Sequence, residues 1–331
     1  MTEPRIVSLI ASATEIVCAL GFEDCMVGRS HECDYPPAVE KLPVCSSSKV
    51  DVDGSSRAID DQVRSIVADA LSVYRVDGRL LGELAPTVIV TQTQCEVCAV
   101  SLKDVEEAVC ELVSSIQALD DERSDWFADG ASSRHPGSEP RIVSLAPMDL
   151  GDVFADIRAV AEAVGRPERA ERLTAGLTAR LDAIRERSSQ LAERPTIACI
   201  EWIDPLMHAE NWVPELVEIA GGSAMLGEAG RHSGYFEFEQ MMEADPDVIA
   251  VMPCGFDISR TAAEMPPLAA RPGWSDLSAV KSGRVFLTDG NQYFNRPGPR
   301  VVESAEILAE LLHPEVFDFG HRGSGWTEWV G

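Results

Sequence analysis

Short apolar runs alternate with stretches of helical spacing along most of this chain. Arg5–Ile10 is a brief run of β-branched and apolar residues, and Ser12–Leu20 follows with helical character. Ser12-Ala-Thr-Glu15 has capping-box spacing, and Gly21 sits where a left-handed residue would end that helix. The run Arg141-Ile-Val-Ser-Leu145 nearly copies Arg5–Leu9, which suggests two equivalent sheet positions. A helix from about Asp152 to Val164 follows it, with Gly165 and Pro167 as stop signals. Thr87–Thr91, Thr196–Ile200, Val248–Met252 and Arg284–Thr288 read as further buried strands, each too short for a helix. Helical patterns lie between them at Leu102–Leu119, Trp212–Ala220 and Val301–Leu312. This alternation predicts an α/β fold with mainly parallel sheets covered by helices on both faces.

Glu168–Glu193 breaks the rhythm. It has no internal proline, and Leu173, Leu177, Leu181, Ile184 and Leu191 form one apolar stripe, predicting a helix of about seven turns. A long helix between two α/β halves reads as a rigid spine. The organisation expected is therefore an N-terminal lobe over 1–165, a connecting helix over 166–193 and a C-terminal lobe over 194–331. Within the first lobe, the acidic, Ser/Gly-rich and aperiodic stretch 120–140 is expected to be a surface loop insertion.

Charge narrows the function classes. Twenty-eight Lys and Arg stand against 55 Asp and Glu, a formal net charge of -27 spread through the whole chain. Such a surface repels phosphate backbones and anionic headgroups, which disfavours nucleic acid and membrane surfaces as partners. The distribution resembles that of salt-adapted proteins. No run reaches the length of a membrane span, and Ile6–Leu20 is interrupted by Glu15 without a convincing cleavage site, so a cytoplasmic location is expected. Dinucleotide, P-loop, zinc-protease and serine-hydrolase signatures are all absent from the sequence.

In parallel α/β sheets, ligands sit beyond the carboxyl ends of the strands. Aromatic residues are only 6% of the chain, yet they gather in these segments. The segment Gly28–Pro37 carries His31 and Tyr35; Glu201–Trp212 carries Trp202, His208 and Trp212. Pro253–Phe256 ends on Phe256, and Asp289–Gly298 carries Asn291, Tyr293 and Phe294. An aromatic rim with a few amides and imidazoles suits a large, flat, partly apolar ligand. Trp202 and Trp212 equally suit capping the core of the second lobe, and His31 and His208 suit hydrogen-bonded loops. Trp326 and Trp329 are expected to pin the C-terminal tail.

Nine cysteines without a secretion signal argue for thiols or metal ligands over disulfides. Cys18, Cys110 and Cys199 fall on apolar positions and read as core. Cys33, Cys95, Cys98 and Cys254 fall in strand-end loops. Cys95-x-x-Cys98 together with Cys33 could hold a zinc- or iron-class ion, with His31 or Cys254 completing the set. Unpaired loop thiols are the alternative.

Several of these segments resemble a known family. Arg5-Ile-Val-Ser-Leu, Thr14-Glu15, Leu20-Gly21, Val27-Gly28-Arg29, Asp34-Tyr35-Pro36-Pro37 and Leu84-x-Pro86-x-Val-Ile89 are similar to the first lobe of cobalamin- and siderophore-binding proteins of ABC importers. Ala220-Gly-Gly222, Asp245-Pro-Asp-Val-Ile249 and Asn291–Arg300 extend the likeness through the second half. The resemblance implies two Rossmann-like lobes joined by one long spine helix, with a ligand held in the cleft between them. It also implies that Tyr35 and Tyr293 face a corrin ring. The cysteine-bearing loops look like a signal-less cytoplasmic subgroup labelled cobalamin-binding. The expected function is thus binding of cobalamin or a related corrinoid or metal chelate, in uptake, storage or delivery, with an ABC permease as a further partner. Two alternatives stand beside it: a metal- or thiol-dependent enzyme using the cysteine-lined cleft, and an importer subunit for cobalamin or an iron-siderophore.

The charge carries its own prediction. Self-repulsion of -27 charges is screened only when the Debye length is short, about 3 Å at molar salt. Thermal melts should therefore show a midpoint that rises with salt; a flat response contradicts salt adaptation.

Overall fold

The structure is a computed structural model, and it describes residues 3–68, 73–93 and 140–331. The chain divides into two compact lobes. The first comprises Met1–Asp51, Gln62–Ala146 and Asp156–Glu171; the second comprises Val52–Asp61, Pro147–Ala155 and Arg172–Gly331.

In the first lobe, β1 (Ile6–Ser8), α1 (Ala11–Ala19) and β2 (Met26–Arg29) form the opening β-α-β unit. A small antiparallel pair, β3 (Ser46–Ser48) and β4 (Tyr74–Val76), flanks α2 (Ser56–Ala68) in sequence. Then come α3 (Gly78–Leu84), β5 (Val88–Gln92) and β6 (Arg141–Leu145). The main sheet has the order β2-β1-β5-β6, and every pairing in it is parallel. Ile6, Val7, Ile89 and Val90 are fully buried, as strands covered on both faces must be.

The repeated strand motif occupies unequal positions. β1 is central and wholly buried, whereas among the described residues β6 pairs only with β5 and exposes Arg141 and Ser144. The expected equivalence of the two copies does not hold. The start of α1 also departs from expectation. Ile10 is the N-cap, no side chain caps the helix, and Ser12 lies inside it, so the capping box does not form. Its end behaves as expected: Gly21 adopts φ 78°, with Gly21 N–H donating to Cys18 O at 2.8 Å and Phe22 N–H to Val17 O at 3.1 Å. That is a Schellman closure requiring a left-handed residue.

Two helices lead on, α4 (Leu150–Ala163) and the long α5 (Pro167–Ser188). Pro167 opens α5, Glu168 lies in its first turn, and Arg185 and Arg187 lie in its last, all in the sense that the helix dipole favours. Buried Ala170, Thr174, Leu177, Leu181, Ile184 and Ser188 follow each other at spacings of four and three, one stripe along the helix. The helix stops at Ser188, earlier than expected, where the Ser188 hydroxyl donates to Ile219 O at 2.8 Å. The boundary between the lobes falls inside α5, after Glu171.

The second lobe is built on β7 (Thr196–Trp202), β8 (Met207–His208), α6 (Val213–Ile219), β9 (Ser223–Met225), α7 (Phe238–Ala244) and β10 (Val248–Val251). It continues with α8 (Ile258–Ala269), α9 (Ser278–Lys281), β11 (Val285–Thr288), α10 (Val301–Leu312) and β12 (Trp326–Glu328). Its sheet has the order β12-β11-β10-β7-β8, with β9 beside β7. The β11-β10-β7-β9 pairings are parallel; β8 and β12 run antiparallel at the margins. Ala198, Ile200, Ile249, Val251, Val285 and Leu287 face a helical cover that includes Met241, Met265, Leu268 and Trp274. Both lobes are therefore α/β with mainly parallel sheets, as the alternation of patterns predicts. No described helix is long and apolar enough to cross a membrane.

The C-terminal tail is pinned as expected, and by more than its tryptophans. Trp329 packs edge-on against Trp274, and Trp326 stands edge-on to Phe286. Glu310 of α10 accepts from the backbone N–H groups of Phe319 and His321 and from the Trp326 indole. His321 Nε2 meets Glu306 Oε2 at 2.9 Å, and the other Glu306 oxygen accepts from Arg180 at 2.7 Å. The hydrogen bond to Glu306 raises the His321 pKa above its usual value; burial opposes this, and Glu310, Glu306 and Glu303 add to it through their charge. Burial would raise Glu306, but hydrogen bonds from His321 and Arg180 outweigh it and hold its carboxyl below the usual range.

The linkage has a definite sign. The His321 contribution is fully present below about pH 6.5, its unfolded value, and is lost as pH rises through the raised folded value. The Glu306 contribution is present above about pH 4.5 and lost as pH falls through its lowered value. A His321→Gln variant should therefore melt about 2–4 °C below the parent near pH 5.5, and the gap should close by pH 8.5. A gap that stays constant across this range contradicts the assignment.

Candidate functional site

The parallel strands of each lobe deliver their carboxyl ends to loops that carry the predicted residues. In the first lobe, Arg29 at the end of β2 organises the following loop. Its guanidinium donates to the carbonyls of Ser30 and Cys33 at 3.0 Å each and of Glu40 at 3.1 Å. His31 is half-buried, its Nδ1 is 2.9 Å from Ser46 Oγ, and its ring lies 5.4 Å from that of Tyr74. Burial lowers its pKa and the charge of Arg29 lowers it further, so at neutral pH the ring is uncharged. Tyr35, 41% exposed, is the aromatic this loop offers to solvent.

Cys33 is not offered in the same way. It is buried, and the Thr14 hydroxyl donates to its sulfur at 2.9 Å. Cys95 and Cys98, the other members of the expected metal set, lie outside the described residues, as do Cys110 and the helix expected at 102–119. Among the described residues, no group of three His, Cys, Asp or Glu side chains could hold a metal ion. The described part of the expected zinc or iron site thus has no ligand set.

The second lobe presents a more developed surface. β7 ends on Trp202, and β10 leads through Met252-Pro-Cys-Gly to Phe256. The Trp202 and Phe256 rings lie 5.2 Å apart, and the Arg260 guanidinium lies 4.8 Å over Phe256. Arg260 stands in the first turn of α8, where Asp257 caps the helix by accepting from the Arg260 N–H at 2.7 Å. The result is a guanidinium laid on a buried phenyl ring with a half-buried indole beside it, so the indole and the guanidinium are what this surface offers to a flat, electron-rich partner.

The loop after β11 is bound to the one after β10. Asn291 N–H donates to Phe256 O at 3.0 Å, and the Asn295 amide donates to the carbonyls of Met252 and Gly290, also at 3.0 Å. Gly290 permits this approach, since a Cβ there would meet Pro253 O at 2.2 Å. Asn291 Oδ1 accepts from Arg296 at 3.1 Å. Tyr293 lies under the Arg300 guanidinium at 5.3 Å and edge-on to His321 at 6.1 Å.

Three predicted ligand residues are enclosed: Phe256, 5% exposed with the Arg260 guanidinium over its ring and Trp202 beside it, and two that belong to the core outright. Phe294 is only 1% exposed, and Trp212 is buried with its indole donating to Phe294 O at 2.8 Å. With both rings enclosed, neither can offer a face to a ligand. His208 is half-buried, 3.8 Å from Glu210 and 5.8 Å from the Phe236 ring. Burial lowers its pKa, with Glu210 partly opposing. Sequence reasoning missed Arg260 as part of this surface, and missed the segment 52–61 with its Tyr235 partner beside it. The signal available for Arg260 was its place four residues after Phe256, one helical turn on.

Comparison with known proteins identifies the class. Residues 6–292 match the periplasmic binding protein family, and the chain belongs to it. An uncharacterized ABC transporter substrate-binding lipoprotein of Bacillus subtilis (strain 168), YvrC, is 22% identical over 320 residues, covering 95% of this chain and 82% of that protein. The periplasmic heme-binding protein RhuT of Roseiflexus sp. RS-1 is 22% identical with a TM-score of 0.62, covering 95% of this chain and all of that one. The periplasmic vitamin B12-binding protein BtuF of Vibrio cholerae is 18% identical with a TM-score of 0.56, covering 93% and 96%. These findings overturn the expected cytoplasmic location. The relatives are a lipoprotein and periplasmic proteins, and the lack of a recognisable export segment carried no positive information about location. The alternative of an enzyme built on the cysteines finds no support in a family of binding proteins.

Proposed function

We propose that this protein is the substrate-binding subunit of an ABC importer for a flat metal chelate of the tetrapyrrole kind, a corrinoid such as cobalamin or a porphyrin. The observation that carries this reading is the Arg260–Phe256–Trp202 series at the carboxyl ends of β7 and β10. Trp202 supplies stacking area, backed by the buried Phe256, and Arg260 supplies a fixed positive charge, which matches a macrocycle whose edge bears carboxylates or amides. Tyr293 under Arg300 repeats the pairing of ring and guanidinium on the next loop. Relatives named for heme and for vitamin B12 support the ligand class. The metal is cargo within the chelate, so the protein needs no metal site of its own.

Visible titration with cyanocobalamin and with hemin tests the proposal. One of the two should bind and shift its spectrum. Trp202→Ala should then weaken binding by about 2 kcal/mol, roughly thirtyfold, as loss of a central aromatic anchor does. Trp212→Phe should leave affinity unchanged while lowering the melting temperature, because it removes the core hydrogen bond to Phe294 and part of a buried ring. If neither chelate binds, the tetrapyrrole assignment is wrong.

A further inference from the structure

The Trp202–Phe256–Arg260 surface already has an occupant from this chain. Residues Val52–Asp61, the loop after β3 and the opening turns of α2, belong to the second lobe. The Trp202 indole donates to Ser56 O at 3.2 Å, and Arg260 donates to Gly54 O. Glu264, one turn beyond Arg260 on α8, accepts from both the Ser56 N–H at 3.1 Å and the Ser56 hydroxyl at 2.9 Å. Arg57 pairs with Asp204, and the Tyr235 hydroxyl donates to Asp60 Oδ1 at 2.8 Å. Five side chains of the lobe thus hold seven residues of strap.

The character of this attachment decides what it can do. Within the strap only Ser56 and Asp60 are buried, and Val52 is exposed. Ala58 and Ile59 are half-buried and no hydrophobic side chain of the segment is fully buried, so hydrogen bonds and an ion pair carry much of the fastening. Such bonds are exchanged for bonds to water on opening, and a segment with little apolar burial lies toward the low-stability end of a fold. Two of the fastening groups, Trp202 and Arg260, are also the groups that the proposed ligand would use. Strap and ligand therefore compete for the same atoms.

We propose that residues 54–60 are a lid closed over the Trp202–Phe256 face, and that the planar ligand displaces it. The inference rests on the ligand reading above for its second clause only; the closed lid stands on the hydrogen bonds alone. The competition makes the surface self-covered when no ligand is bound and selects ligands able to replace several polar contacts at once.

The test uses the whole protein and a Tyr235→Phe, Ser56→Ala double variant, which removes the hydroxyl bonds to Asp60 and Glu264 and leaves Trp202, Arg260 and the Glu264 partner of Arg260 in place. Without ligand, hydrogen exchange of the strap should quicken by about tenfold or more in the variant, while β7 and β10 exchange as before. Uncovering Trp202 should also shift the tryptophan emission of the variant to the red, and the shift should vanish when Trp202→Phe is added, the other tryptophans being unaffected. Unchanged strap exchange, or a red shift that survives Trp202→Phe, overturns the lid. With hemin and cyanocobalamin as probes, the variant should associate about tenfold faster with little change in dissociation. If dissociation quickens instead, the strap grips the ligand and displacement is wrong. If neither probe binds either protein, the ligand reading and displacement fail together, and exchange and emission still decide whether the lid exists.

Discussion

The parallel pairing of β7, β10 and β11 is the constraint on which the second lobe depends. Parallel strands need crossovers, so helices cover both faces and the strands themselves must be apolar. Val248, Ile249, Ala250 and Val251 are accordingly buried without exception. A strand buried on both faces has no side chain to spare for chemistry. All polar and aromatic recognition is therefore pushed to the loops beyond the carboxyl ends, where Trp202, Phe256 and Tyr293 stand. Adjacent strands then bring these loops close enough for direct bonds. The Asn295 amide shared between Met252 O and Gly290 O locks two of them together, and Gly290 supplies the clearance.

The same logic separates ligand-facing aromatics from structural ones, though both occupy the same loops. Trp202 ends a strand and keeps its edge accessible to the strap. Trp212 opens α6 and turns inward, where its N–H finds Phe294 O. An indole buried with a satisfied N–H is a stable core element and a poor recognition element. The distinction lies in which polar group each ring can reach, and that depends on the backbone path.

This is why some features were legible in the sequence and others were not. The stripe Leu177, Leu181 and Ile184 announces α5, and β6 and α10 fall on their predicted residues, because periodicity is local. Gly21 was legible as a helix end for the same reason. Ser12 was misleading, since the motif for a capping box was present but the helix began two residues earlier, with Ile10 as its N-cap. Phe294 and Trp212 could not be told from ligand-facing rings without their partners. The strap was invisible: Asp51-Val-Asp-Gly-Ser-Ser reads as an ordinary polar turn, and its bonds to Glu264 and Trp202 span 208 and 146 residues. The pair β3 and β4 went unseen because Ser46–Ser48 has no apolar alternation. The location was misjudged because it was inferred from something missing.

The central claim is that the aromatic and guanidinium surface exists to hold a flat metal chelate. The most direct measurement is the visible spectrum and metal content of the protein isolated from its native source without added ligand. The account predicts intense porphyrin or corrin bands with iron or cobalt near one atom per chain. A colourless protein that carries a metal-free organic ligand at full occupancy would contradict it.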